Sequence, residues 1–522
     1  MKSSVFEADC DHLTIEMRRR GALGADTTIT SALTRVLDAI IENDQRQPIV
    51  ASDYFGPQLR HYVNEKIVGF STAIMTNAGR PSMPVASCTV LPLFLNQVNA
   101  LDADQFYSHS STAFENAIGV GYHISEHLYP TPTLGIIRSE LDRINRPLVA
   151  KSKRPVAAML SIPATHRAIA EFLESFSRSE QGPLVTASVF VTEKLFEDAR
   201  SHSYGEPSQE AFAARELLHR IAGAIHASGN PGIIFADRLA SDNPTPQFPY
   251  VSVAPCAEVG LATGDACHFG YLNLPRMSRS GKFDWQLFSN ATKVLVRSLD
   301  SAVDLTSNAI LPYALVARRR RIGVCVTGLS DCLDLLGIDY DSEEALVFCQ
   351  TLSERLDFES KLESIELARQ RGPFPLFDTS RYTDPNWVAR KLYRVGKQTC
   401  DWTAVFSGIR HWGIRNATTS ALSPAETASA FFGVSTSLEH QTYPSGHNAT
   451  PATRRRVTSS AQLLIQSSLQ AFLDDAISKT VSISPNSTPH DIEGILWSAF
   501  NFKLKGVSVF RLHSSDLISS SL

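Results

Sequence analysis

Apolar residues recur at a helical period through the first seventy residues. In TSALTRVLDAIIEN, Leu33, Val36, Leu37 and Ile40 fall on one face. Residues 71–98 change character: TNAGRPSMP is turn chemistry, the apolar VASCTVLPLFL follows, and the stretch reads as extended. From 110 onward helices and short apolar strands alternate. PVAAMLSI predicts a strand and ATHRAIAEFLESF a helix; LVTASVFVT predicts a strand and EKLFEDARS a helix. EAFAARELLHRIAGAIHASG predicts a helix closed by Gly229, and GIIFADRL the next strand. Two strong helices follow, FDWQLFSNATKVLVRSLDSAVDL and the run from Ser342 to Arg371. The second is headed by Asp341 and Glu344 at capping-box spacing and ended by Gly372 and Pro373. HQTYPSGHNATPATRRR (440–456) reads as a surface loop within one domain, and DLISSSL as a frayed tail. Alternation of this kind predicts a largely parallel α/β architecture with catalytic groups on loops at strand ends.

Composition narrows the partners. The 522 residues suffice for a large core or several ordinary domains, and 43% apolar with 20% charged residues is ordinary for a globular protein. A formal charge of −4 argues against a chain that coats nucleic acid or an anionic membrane, so neither is an expected partner. The opening residues have no apolar leader region and no apolar run nears eighteen residues, so a cytoplasmic location is expected. None of the eight cysteines forms CxxC or zinc-finger spacing with histidine, so no metal site is expected. Most should be buried thiols acting as small hydrophobes.

Several familiar signatures fail. SRSGKF lacks the upstream glycine and following hydroxyl of a phosphate loop, and IGVGYH has two glycines of a dinucleotide fingerprint without the third. HExxH and GxSxG are missing. ARRRRIG (317–323) reads as a solvated helix end rather than a nucleic-acid patch. VAPCAEVG stands apart. Cys256 and Glu258 lie two apart, so in extended chain they look into one pocket. A carboxylate raises a neighbouring thiol's pKa, which is wrong for a nucleophile, and no histidine lies close in sequence. One-electron chemistry suits the pair: a thiyl radical takes a hydrogen atom from carbon while the carboxylate takes a hydroxyl proton.

From about residue 70 to 511 the chain resembles ribonucleotide reductases, most closely the adenosylcobalamin-dependent class II enzymes. TNAGRPSMPVASC is similar to the turn before the family's first redox cysteine, APCAE to its Asn-Pro-Cys-Gly-Glu loop, and ACHFGYLNLPRM to the segment bearing its second redox cysteine. GNPGIIFADRLASDNPTP, RRRRIGVCVTGLSDCLDLLGIDYDSEEAL, ELARQRGPFPLF, GIRNATTSALSPAETAS, DDAISKTVSI and LKGVSVFR follow in the family's order. The resemblance implies a ten-stranded α/β barrel of the ribonucleotide reductase and glycyl radical enzyme type. Two five-stranded parallel halves would make up residues 71–522 behind a helical N-terminal region, 1–70. It implies Cys256 as the thiyl-radical residue, Glu258 as base for the ribose 3′-hydroxyl, and Cys88 with Cys267 as the reducing pair. Those two must then approach to about 5.5–6 Å between Cα atoms. Thr72, Ser87 and Ala254 match substrate-contacting positions. The turn PAETAS, with Ala425, Glu426, Thr427 and Ser429, would bind phosphate through backbone N–H groups and the hydroxyls of Thr427 and Ser429. Ser508 and Val509 stand where the subunit-dependent class carries two tyrosines. No radical-generating subunit is therefore implied, and adenosylcobalamin is the simplest radical source. Thioredoxin or a small thiol would be the reductant, and class II enzymes occur as monomers or homodimers.

Four departures accompany the resemblance. Ala254 replaces a substrate-binding asparagine, no cysteine follows Cys400 to re-reduce the pair, no N-terminal ATP-binding domain is expected, and AKSKRPVAAM (150–159) replaces a glycine-rich specificity loop. Three readings stay open: reduction of ribonucleotides for DNA synthesis, radical tailoring of a nucleoside or nucleotide in a secondary pathway, and an inactive scaffold. Retention of Cys256, Glu258, Cys88 and Cys267 counts against the last.

Overall fold

Short β-branched runs, too brief for stable helices, pair into one sheet, and the segments of helical period pack around it. The computed structural model describes residues 2–512 apart from 48–53, 95, 97–100, 127, 129, 151–157, 178–184, 202–207, 307–314, 397, 437 and 441–456. The expectations for 151–157, 441–456 and the tail therefore lie outside the described residues. In the first half of the molecule β1 (Val68–Phe70) precedes β2 (Cys88–Val90), β3 (Gly119–His123), β4 (Ala158–Pro163), β5 (Val185–Val191) and β6 (Gly232–Phe235). Strands β2 to β6 lie side by side in that order, all parallel, with helices as the crossovers. After the short strands β7 (Ser252–Val253) and β8 (Gly260–Leu261) comes β9 (Ala266–Asn273), then β10 (Ser278–Arg279), β11 (Lys282–Phe283), β12 (Ile322–Thr327), β13 (Thr480–Ile483) and β14 (Gly506–Arg511).

β12 runs parallel to β9 and β13 parallel to β14. Parallel bridges Val324↔Ser420 and Leu422↔Ile477 carry the pairing from β12 through residues 420–422 to the residues leading into β13. The two sets meet antiparallel, β2 on β9 and β14 on β6, and with β1, antiparallel on β9, they make the ten-stranded sheet. Every residue of β9 and β12 is buried, as expected of strands covered on both faces. The architecture is the mixed α/β sheet of parallel sets that the alternation implied.

The N-terminal helix Ile29–Gln45 packs on helix Trp285–Asp304, with buried Asp44 accepting from Arg297 and Arg371. Gly229 closes its helix in the left-handed region, φ +74°. SRSGKF forms the β10–β11 hairpin, whose turn residues Ser280 and Gly281 both have positive φ.

Three expectations are corrected. Residues 71–98 are not extended throughout, because Thr72–Asn77 coils into a helix whose end is held by the Asn77 amide, bonded to Pro84 O and Asn116 O. Helix Glu343–Arg371 is capped by Ser342, not Asp341: the Ala345 N–H donates to the Ser342 hydroxyl. The run ARRRRIG is not a solvated end. Arg319, Arg320 and Arg321 are buried, donating to Asp265, to Asp300 and Asp304, and to Asp475 respectively. Opposed carboxylates offset the cost of burying the guanidinium groups.

Candidate active site

β7 and β8 form a hairpin, Ser252 opposite Leu261 and Val253 opposite Gly260, that crosses the interior of the sheet. Both halves hold it. The Ser252 hydroxyl bonds Tyr122 O at 3.1 Å and Ser161 Oγ at 2.9 Å, while Arg321 donates to Gly260 O at 2.8 Å and the Ala476 N–H to Glu258 O at 2.9 Å. The two glycines of IGVGYH make room for it. A Cβ at Gly121 would stand 2.2 Å from Val253 O, and one at Gly119 would stand 2.9 Å from Pro255 Cγ. At the tip the chain turns tightly, Ala257 N–H donating to Ala254 O, with Ala257 at φ +66°, a conformation costing about 1–2 kcal/mol for a residue with a Cβ. The turn leaves Cys256 exposed, whereas Ala254, Ala257 and Glu258 are buried.

A cavity of about 200 Å³ opens at this tip. Cys256 and Glu258 enter it from the hairpin, Ser87 and Cys88 from β2 and its approach, and Thr72, Glu426 and Thr427 from two helix starts. The Thr72 and Thr427 hydroxyls meet across it at 2.7 Å, and Ser87 Oγ accepts from Phe269 N–H at 2.9 Å while bonding Ser71 Oγ at 2.7 Å. Cys267 lies behind Cys88: the two are direct antiparallel partners on β9 and β2. Such partners stand about 4.5–5.5 Å apart at Cα, with side chains on one face, inside the range a disulfide spans. Both are buried thiols, their pKa values pushed well up, first by burial. For Cys88 the charge of Glu258 adds to the effect.

Glu258 is buried, and its Oε2 has no hydrogen-bond partner. Burial, reinforced by the charge of Asp475, pushes its pKa up to about 7. A carboxyl so placed exchanges protons near neutrality.

Four positions singled out from the sequence do not line the cavity: Cys267, behind Cys88, and Ala254, Ala425 and Ser429, whose hydroxyl donates to Ala425 O at 2.7 Å. Residues not foreseen line it as well, among them Phe269, Tyr271 and Ser423. Strand parity offered a signal for the first two, since Cys267, Phe269 and Tyr271 are spaced by two. Among the described residues no cluster of three or more His, Cys, Asp or Glu is placed to hold a metal ion, and no helix is long and apolar enough to cross a membrane.

The chain carrying this site also matches known proteins in sequence. The family profile described as the ribonucleotide reductase barrel domain matches residues 192–444. The chain is similar to ribonucleotide reductases over this region, at low identity. The matched ribonucleotide reductase region contains the hairpin, β9, β12 and the 424–429 turn; Thr72 and Cys88 precede it. A vitamin B12-dependent ribonucleoside-diphosphate reductase of Mycobacterium tuberculosis (strain CDC 1551 / Oshkosh) is 27% identical over 423 residues, 70% of this chain and 57% of the relative. One from Thermoplasma acidophilum is 23% identical over 555 aligned positions, covering 91% and 68%. The ribonucleoside-diphosphate reductase subunit alpha of Chlamydia pneumoniae is 28% identical over 272 residues, 47% and 26%. The chain thus spans a little over half the length of the mycobacterial reductase.

Proposed function

We propose that the protein reduces ribonucleotides to 2′-deoxyribonucleotides as an adenosylcobalamin-dependent, class II enzyme of the cytoplasm. The observation that carries the reading is the placement of Cys88 opposite Cys267 beside a cavity that receives Cys256 and Glu258. The residues present fit the cofactor. Cys256 is exposed at the hairpin tip, and Ser508 and Val509 carry no phenol to relay a radical from a partner. Adenosylcobalamin held beside Cys256 would supply a one-electron oxidant able to accept the thiol's hydrogen atom and leave a sulfur-centred radical.

The chain's own groups then divide the work. The Cys256 sulfur takes the hydrogen atom from C3′ as Glu258 accepts the 3′-hydroxyl proton. The 2′-hydroxyl leaves as water. Cys88 and Cys267 give two electrons and two protons and become joined as a disulfide, and Cys256 returns its hydrogen to C3′. Thr72, Ser87, Glu426 and Thr427 contact substrate, and thioredoxin or a small thiol restores the pair. In the presence of adenosylcobalamin and a dithiol, the purified protein should convert a ribonucleoside di- or triphosphate to its 2′-deoxy form, and Cys256→Ser should abolish conversion. Turnover by the Ser variant would sink the assignment.

Ala254 favours a second reading. Its methyl is buried away from the cavity, so the family's asparagine contact is missing. Cofactor cleavage without reduction of any of the common nucleotides would identify the protein as a tailoring enzyme for a modified nucleoside or nucleotide.

A further inference from the structure

We propose that Tyr271 orients the substrate by accepting a hydrogen bond from one of its sugar hydroxyls, a polar contact that position 254 does not supply. The inference rests on the ribonucleotide reading above. Tyr271 lies on β9, on the face that carries Cys267 and Phe269, and lines the cavity with Cys256 and Glu258. Its phenol oxygen is fixed from behind: it donates to Pro424 O at 2.9 Å and lies 2.8 Å from Ser423 Oγ. A phenol has one proton. With that proton on the Pro424 carbonyl, Ser423 must be the donor in the second bond. Ser423 is itself held against the Cys325 sulfur of β12, 3.4 Å from its Oγ and 3.5 Å from its backbone nitrogen. The phenol keeps its proton at working pH, since burial raises its pKa well above the ordinary value.

What the arrangement leaves to a ligand is acceptor capacity. The phenol oxygen retains a lone pair, and Glu258 Oε2 has no partner. A ribose presents two adjacent hydroxyl donors, and the cavity lining offers two acceptors to such a vicinal diol. Pro424 also begins the turn that brings Glu426 and Thr427 into the cavity, so the Tyr271–Pro424 bond sets the distance between its sugar and phosphate ends.

The test is equilibrium binding in a Cys256→Ser background, which prevents turnover. The probes are a ribonucleoside diphosphate, its 2′-deoxy analogue and its 3′-deoxy analogue. Tyr271→Phe should weaken ribonucleotide binding about 3–10-fold, the worth of one hydrogen bond. The loss should vanish for one of the two deoxy analogues. Ser423→Ala, which removes the donor that fixes the phenol, should give a smaller loss with the same hydroxyl dependence. Binding by Tyr271→Phe equal to that of the parent, or an equal loss for all three probes, would overturn the role. Failure of the parent to bind any of the four common ribonucleoside diphosphates would remove the substrate reading itself, and this role with it.

Discussion

At the scale of single residues, Glu258 sets the chemistry and its conditions. Its carboxyl has no bonded partner at Oε2, and burial raises its pKa to about 7 against an ordinary value near 4.5. The raised value means that the fold prefers the protonated acid. The penalty is absent below about pH 4.5, grows as the unfolded chain ionises, and is complete above about pH 7, at up to ~3 kcal/mol. Glu258→Gln should therefore raise the unfolding midpoint at pH 8 and leave it nearly unchanged at pH 4. The same variant should lose reductase activity, while the wild-type rate should climb along a limb centred near pH 7. A lower midpoint for the Gln variant at pH 8 would show that the carboxylate stabilises the fold. Cys256 and Glu258 were legible as one pocket because a spacing of two fixes a common side of extended chain. Tyr271 was passed over, since nothing local to it signals that Ser423 and Pro424, about 150 residues later, would anchor its phenol.

At the scale of elements, register decides the reducing pair. No local pattern ties Cys88 to Cys267; they meet because β2 runs antiparallel to β9 at one offset, and a slip by one residue would turn the thiols to opposite faces. Mild thiol oxidants should therefore join Cys88 to Cys267 and leave Cys325 and Cys349 as thiols, as read by peptide mass mapping. Any other dominant pairing would contradict the register. The hairpin depends on β3 in a comparable way. Gly121→Ala would drive a methyl into Val253 O, so the hairpin must shift, and activity should fall at least 100-fold while the sheet still forms. Circular dichroism and turnover would separate the two effects. The strands and helices after residue 110 were readable from periodicity, because each buries one face against a common interior. The cap at Ser342 was misplaced by one position, since Asp341 and Ser342 are both good caps and only the Ala345 N–H chooses between them.

At the scale of the whole molecule, buried ion pairs join parts that the chain keeps far apart. Arg321 donates to Asp475 before β13, to the hairpin at Gly260 and, at 3.4 Å, to Asp265 before β9. Arg321→Ala should lower stability by about 3–5 kcal/mol, because two carboxylates lose a buried partner. Chemical denaturation would measure it, and a loss under 1 kcal/mol would mean that water already reaches the network. The sequence alone determined the α/β class, most elements and the chemical types gathered at the site, because periodicity, turn residues and side-chain chemistry are local properties. Tertiary structure decided which strand faces which, that three arginines of one run meet carboxylates instead of water, and which side chains reach the cavity. Those outcomes follow from long-range packing, where a residue's energy depends on neighbours hundreds of positions away.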